Sequence, residues 1–175
     1  MFSRGDYRID EQASIVRKAL TEDRTTSSLT RVIYAGEPVQ IGTNSTTPAA
    51  GAPYMIPLTD GKPVIGTDYF AGVPVNDSDD TSSADGEITV ALAIPSLTVM
   101  TAKGSTPANI DTQSELDAYL FDSVNANVTA LVYTINEDEG VDDNVHGFVL
   151  IGGNYVTKEM DFTVKPLASL LGSNN

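Results

Sequence analysis

The chain has 175 residues and an apolar content of 41%, which suits one domain with a hydrophobic core plus a short appendage and excludes a disordered chain. It has no cysteine, which excludes disulfides, thiolate nucleophiles and thiolate metal sites. Its net charge is −14. Segment 1–31 has six basic and five acidic residues, which gives a net charge of +1. Segment 32–175 has four basic and 19 acidic residues, which gives a net charge of −15.

This uneven charge limits the possible partners. A body of net −15 is expected to repel nucleic acid, so we predict no nucleic-acid partner. No apolar run approaches the ~20 residues that span a bilayer, and the start, MFSRGDYRIDEQ, has no apolar core of a secretory signal. We therefore also expect no membrane partner.

The change in charge near residue 31 predicts a boundary between an N-terminal arm and a β-rich domain. The arm, 1–31, has apolar residues at spacings of 4, 3, 3 and 1, a helix-compatible stripe; we expect it to be partly helical or extended. The alternative is a frayed terminus without a partner. The β-rich domain covers 32–168, and 169–175 is a C-terminal tail. The stripe consists of Ile9, Ala13, Val16, Ala19 and Leu20.

Segment 32–168 consists of short β-type runs cut by Gly and Pro. The run EITVALAI alternates, with Ile88, Val90, Leu92 and Ile94 predicted on one face. Asn127–Ile135 is predicted as one strand with two fairly apolar faces. Gly152-Gly153-Asn154 is predicted as a hairpin turn, because Gly and Asn tolerate positive φ. The sum is a mainly antiparallel body of about eight to ten strands.

One helix interrupts the strands. Thr112 is followed three residues later by Glu115, the spacing of a capping box in which each side chain bonds an N–H group of the other residue. Leu116, Tyr119 and Leu120 then share a face at i, i+3 and i+4. The pattern predicts one short helix at about 112–121, packed on the β body.

The acidic stretch NDSDDTSSADGE raises the question of a calcium site. A loop of the EF-hand type that starts at Asp77 has Ser82 where glycine belongs and Ile88 where the bidentate acid belongs, so the motif fails. Asp77, Asp79 and Asp80 remain weak calcium candidates. The alternative, which we favour, is a solvated loop between two strands.

No set of residues with catalytic spacing accompanies these acids. His146 is the only histidine; it cannot form a multi-histidine metal site and has no GxSxG partner motif, so an edge or surface position is expected. The second acidic cluster also lacks a standard spacing. We predict no catalytic residue, no cofactor and no enzymatic activity; an acid-dependent hydrolase is the least favoured hypothesis. That cluster is Glu137, Asp138, Glu139, Asp142 and Asp143.

Three segments in order, AGEPVQIG (35–42), GKPVIGTDYFAGVPVNDSDDT (61–81) and DGEITVALA (85–93), resemble the head-decoration, or capsid cement, proteins of tailed bacteriophages. The resemblance implies a small, non-enzymatic, β-rich protein that is often a trimer and binds the capsid at three-fold or quasi-three-fold positions through an N-terminal arm. It also implies an antiparallel β-sandwich or barrel-like body of the β-tulip type.

From this resemblance and the charge layout we expect a structural virion protein, made in the host cytoplasm, that binds the major capsid protein on the outside of the shell. The alternative is a head-fibre, tail or carbohydrate-binding β module. The arm supplies the expected contacts to the capsid. The candidate residues are Arg4, Tyr7, Arg8, Ile9, Val16, Arg17, Lys18, Leu20, Arg24 and Arg31.

Overall fold

The computed structural model describes residues 8–9, 15–21, 31–42, 54–137 and 145–169. Within these ranges the protein is mainly β, with antiparallel strand pairs and a single α-helix, which confirms the predicted fold class. The strands are β1 (Arg8–Ile9), β2 (Ile15–Thr21), β3 (Val39–Ile41), β4 (Met55–Pro57), β5 (Phe70–Pro74), β6 (Gly86–Leu92), β7 (Met100–Lys103), β8 (Ser123–Thr129), β9 (Val132–Asn136), β10 (Phe148–Asn154) and β11 (Glu159–Val164); the helix α1 is Gln113–Ala118.

The strands form two sheets, and each curls so that strands near its two ends come together. The six-stranded sheet has the order β1-β7-β11-β10-β8-β9, and Gly104 just after β7 bridges Ile135 of β9. The five-stranded sheet has the order β2-β6-β5-β3-β4, and Leu20 of β2 bridges Tyr54 beside β4. The barrel-like character therefore comes from two curled sheets in contact.

The main hydrophobic core lies where the two sheets meet. Phe148 stands between two aromatic neighbours, with ring centroids 5.0 Å from Phe70 and 4.9 Å from Phe162. The first pair is edge-on at 88°, a favoured arrangement because the positive ring edge faces the negative ring face. Leu116 of α1 and Ile110 also belong to this core, so the helix is packed on the body as predicted.

A second core fills the curl of the five-stranded sheet. Ile88, Val90 and Leu92 of β6 are buried there, as the alternation predicts, together with Ile33 and Val39. The opposite face of β6 is buried only near the end of the strand, where Ala91 joins the main core, whereas Glu87 at the other end is exposed. The larger apolar side chains of β6 thus lie in the curl.

Gly72 allows β5 and β6 to approach closely. Its φ is +146°, and a Cβ added there would lie 2.0 Å from the carbonyl oxygen of Ala91. A side chain of any size would separate the two strands, so glycine is required at this position.

The helix α1 begins as the capping box predicts. Thr112 accepts a hydrogen bond from the backbone N–H of Glu115, and the carboxylate of Glu115 accepts one from the N–H of Thr112. The helix ends at Ala118, three residues before the predicted end. Phe121 follows with a φ of +70°, which turns the chain into β8.

Where it is described, the stripe of 1–31 is extended rather than helical, one of the two expected conformations, because β2 pairs with β6 from Ile15↔Leu92 to Thr21↔Gly86. Two other sequence-based interpretations are wrong. The run 127–135 is a hairpin whose two-residue turn is Ala130-Leu131. The turn predicted at Gly152–Asn154 lies at residues 155–158 instead, and Gly152 sits at a register shift within β10.

Candidate functional site

The candidate docking segment, 1–31, contributes an edge strand to each sheet. β1 pairs with β7 at two residues, and β2 pairs with β6 over seven. The pattern of β2 explains its position: Ala19 packs against the second core and Thr21 is buried, whereas Arg17, Lys18 and Leu20 are exposed. The described part of the segment is therefore built into the body and presents two cations and one leucine to solvent.

Lys18 is held in a defined place on β2. Its Nζ lies 2.9 Å from Oε2 of Glu87, which belongs to the neighbouring strand β6. The hydrogen bond that Lys18 donates to this carboxylate, and the negative charge of Glu87, raise the pKa of Lys18 above its ordinary value of 10.5. Both side chains are more than half exposed, so the pair orients the ammonium group and contributes little to stability.

The other predicted contact residues fall into three groups. Arg31 is engaged inside the protein, since its guanidinium bonds the carboxylate of Glu37 at 2.6 and 2.8 Å. For Arg8, Ile9 and Val16 the structure describes the backbone as strand. Three predicted residues lie outside the described ranges: Arg4, Tyr7 and Arg24.

Glu37 is the centre of a buried network that the sequence did not reveal. Besides Arg31, its carboxylate accepts the backbone N–H of Tyr34 at 2.7 Å and the hydroxyl of Tyr133 at 3.3 Å. Its side chain is 1% exposed. Because Tyr133 lies on β9 of the other sheet, this network joins the end of segment 1–31 to both sheets. Its only signal in the sequence is a glutamate in a Gly-Glu-Pro turn.

The acidic stretch after β5 folds back on the body. Oδ1 of Asp77 accepts the N–H of Ala35 at 2.8 Å, and Oδ1 of Asp79 accepts the N–H of Glu87 at 2.5 Å. Asp80 is 2% exposed and bonds Ser78 and Thr21. The interpretation of this stretch as a solvated loop is therefore wrong for Asp80.

Across the ranges given above, no group of three or more His, Asp or Glu side chains is placed to hold a metal ion. The calcium candidates act instead as acceptors for hydroxyl and backbone N–H groups, which is how carboxylates commonly stabilise loops. Of the second acidic cluster, Glu137 is buried and accepts the backbone N–H groups of Ser105 and Thr106. Residues 138–143, with the other four acids, are outside the described residues.

His146 pairs with Val64 in an isolated backbone bridge. Only 8% of its surface is exposed, so of the expected edge or surface position, the surface position is wrong. Its Nδ1 lies 2.5 Å from Nδ2 of Asn125 on β8. Nothing in the sequence indicates this contact, because the two residues are 21 positions apart in segments of unrelated pattern.

All four lysines of segment 32–175 are used within the chain. Each Nζ contacts an oxygen atom of another residue, so the lysines of the body are already paired with a carboxylate or hydrogen-bonded. The contacts are Lys62 with Asp68 at 3.0 Å, Lys103 with the carbonyl of Thr157 at 2.6 Å, Lys158 with Asp111, and Lys165 with Ser123. Lys18 also pairs within the chain, with Glu87, but Arg17 and Lys18 differ from the body lysines in being two adjacent exposed cations on an edge strand.

The fold and these contacts define a mainly β protein with a basic edge strand on an acidic body. No helix in the described part of the chain is long and apolar enough to cross a membrane. Comparison with known proteins found no matching family model, no matching curated protein and no matching solved structure.

Proposed function

We propose that this chain is a structural virion protein that binds the outside of a tailed-phage capsid, contacts the major capsid protein through segment 1–31, and stabilises the shell without catalysing a reaction. The observation that carries the proposal is the strand β2, which presents Arg17, Lys18 and Leu20 on one edge of a body of net −15. Mixed cationic and apolar contacts of this kind suit a partner with acidic and apolar surface.

The segments that resemble decoration proteins support this proposal by their positions. They contain β3, β5 and β6, which are consecutive neighbours in the five-stranded sheet. The resemblance therefore falls on one continuous unit of structure rather than on scattered turns. β2 pairs directly with this unit through β6, so the proposed docking strand and the resembling strands belong to one sheet.

Cement function requires buried area and many copies rather than a catalytic site. A single weak contact is strengthened when the subunits of an oligomer bind together, because the later contacts form at high effective concentration. A trimer, as the resemblance implies, fits a three-fold position on a shell. Sedimentation equilibrium of the purified protein tests this part of the proposal, and a monomer at micromolar concentration would contradict it.

The decisive experiment measures binding to undecorated capsids. Removing the whole of 1–31 is unsuitable, because it deletes β2, uncovers β6 and breaks the Arg31–Glu37 pair. We therefore compare the full chain, a chain lacking residues 1–7, and the double variant Arg17→Glu/Lys18→Glu. The double variant is expected to lose at least about tenfold in affinity, since two attractive charges become repulsive.

Lys103→Glu is the matched control. Like Lys18, Lys103 is a strand lysine that is partly exposed and pairs with a glutamate, Glu159 at 3.5 Å, but it lies in the other sheet. It should bind capsids as the unaltered chain does.

Equal binding by all variants would overturn the docking role of β2. A decorated capsid that gains no resistance to heat would overturn the cement role, and association with tails rather than heads would favour the alternative of a tail module.

A further inference from the structure

We propose that His146 is a proton-operated latch, which holds segment 61–65 and residues 145–147 against β8 when its imidazole is neutral and releases them when it is protonated. The inference concerns the fold of the protein and is independent of the proposed capsid function. It rests on the hydrogen-bond pattern around Asn125.

The amide group of Asn125 has its orientation fixed by two other bonds. Its Nδ2 donates to the carbonyl oxygen of Gly61 at 2.9 Å, and its Oδ1 accepts the N–H of Gly147 at 3.3 Å. The atom that faces Nδ1 of His146 at 2.5 Å is therefore the donor Nδ2. Nδ1 must accept this bond, which requires the neutral imidazole with its proton on Nε2.

Protonation reverses the role of that ring nitrogen. Nδ1 of the imidazolium carries a hydrogen, which would point at the hydrogens of Nδ2. Rotating the amide of Asn125 does not help, because its oxygen would then face the carbonyl of Gly61 and its nitrogen the N–H of Gly147. One of these buried bonds is lost in either orientation, and a buried polar group without a partner is costly.

The latch lies at the junction of three segments. Backbone bonds join Gly61 and Lys62 to Ala126 of β8, at 2.8 and 2.9 Å, and Gly147 to Pro63 at 2.8 Å. Val64 bridges His146, and Ile65 donates to the carbonyl of Val145 at 2.7 Å. Segment 61–65 thus behaves as a short strand between β8 and 145–147, and the contact between Asn125 and His146 ties its two sides together.

On the described neighbouring segments, the charged groups are engaged in contacts of their own. Lys62 pairs with Asp68, Asp60 accepts the N–H of Val128 at 3.1 Å, and Lys165 bonds Ser123. Imidazole is the side chain that ordinarily changes charge between pH 5 and 8. Because the chain has one histidine, the variant His146→Asn removes every imidazole from the protein.

The first test is the tautomer and titration of His146 by nuclear magnetic resonance of the ¹⁵N-labelled protein, where one histidine gives one set of ring signals. At pH 7.5 we expect an unprotonated Nδ1 and a protonated Nε2. A neutral ring with its proton on Nδ1 would overturn the proposal, because Asn125 would then face it in the opposite orientation. This measurement needs no variant.

The second test compares amide hydrogen exchange at pH 7.5 and 5.0, after correction for the intrinsic rates. The amides of Gly61, Ala126 and Gly147 are expected to lose about tenfold in protection at pH 5.0, while the amide of Ala93, bonded to Ala71 in the other sheet, keeps its protection. His146→Asn keeps an acceptor near the position of Nδ1 and cannot take up a proton, so its protection should not change with pH. The same pH dependence in both proteins would overturn the latch.

Discussion

Arg31 and Glu37 form a two-pronged ion pair inside the protein, with the two terminal nitrogens of the guanidinium at 2.6 and 2.8 Å from the two carboxylate oxygens. The same Arg31 nitrogen that bonds Oε2 of Glu37 also donates to the carbonyl of Val32. The hydroxyl of Tyr133 donates to the other carboxylate oxygen, Oε1. Residue 31 is thus a structural anchor for the entry of the chain into the body, although its charge and position suggested a contact with a partner.

Glu37→Gln should therefore destabilise the protein strongly. The variant leaves the guanidinium of Arg31 without its counter-charge, and removing one member of a buried pair costs about 3 kcal/mol. Chemical denaturation at pH 7 measures the loss. Lys18→Gln is the matched control, because it removes an exposed pair with Glu87 and should leave the denaturation midpoint unchanged. Equal effects of the two substitutions would contradict the structural role of the network.

The same network predicts a loss of stability in alkali. Burial, followed by the negative charge of Glu37, raises the pKa of Tyr133 above its ordinary value of 10.0. Above about pH 10 the unfolded chain loses the phenolic proton while the folded chain keeps it, so stability falls as pH rises, by up to about 1.4 kcal/mol per pH unit.

Tyr133→Phe removes this titration, so its free energy of unfolding should fall less steeply between pH 10 and 11.5. At neutral pH the variant is expected to be only about 1 kcal/mol less stable, the value of one hydrogen bond. Parallel slopes for both proteins in alkali would show that Tyr133 titrates normally.

Gly72→Ala tests the close approach of β5 and β6. The added Cβ would overlap the carbonyl oxygen of Ala91, so the strands must separate, and we expect a loss of at least about 3 kcal/mol. Gly61→Ala is the control: its φ is also positive, +69°, but nothing lies within 4 Å of the new Cβ. It should cost only about 1 kcal/mol, from backbone strain alone. Comparing the thermal unfolding of the two variants separates the cost of backbone strain from the cost of steric overlap with Ala91.

The turn between β8 and β9 can be improved. Ala130 and Leu131 both have positive φ, 49° and 71°, the pattern of a type I′ turn that favours Asn-Gly. Nearly half of the surface of Leu131, 46%, is already exposed, which limits the apolar burial that is lost when it is replaced. Ala130→Asn/Leu131→Gly should raise the free energy of unfolding by about 1 kcal/mol. A decrease would indicate that Leu131 has a packing role beyond the turn.

Calcium should have no effect on stability. Oδ1 atoms of Asp77 and Asp79 already accept backbone N–H groups, and Asp80 bonds two hydroxyl groups. We expect the same melting temperature in 5 mM calcium chloride and in a chelator, within the error of calorimetry. An upward shift that saturates with calcium concentration would contradict this and would restore the acidic loop as a cation site.

The local patterns of the sequence predicted the elements that depend on neighbouring residues. The capping box from Thr112 to Glu115 predicted where α1 begins, because both partners lie within one helical turn. The alternation of Ile88, Val90 and Leu92 predicted the buried face of β6, because side chains alternate across a strand. Composition and Gly/Pro spacing were enough for the mainly β fold class.

What depended on distant contacts was decided only by the tertiary structure. The stripe around Val16, Ala19 and Leu20 is compatible with a helix, and it forms a strand because the edge of β6 offers it seven residues of backbone pairing. The turn at Ala130-Leu131 has no Gly, Asn or Pro, and pairing of Thr129 with Val132 imposes it. The environments of Glu37 and His146 are set by Tyr133 and Asn125, which the sequence separates by 96 and 21 positions. Secondary-structure propensity depends on residues that are neighbours in the sequence. Burial and buried hydrogen bonds depend on which distant segments the fold brings into contact.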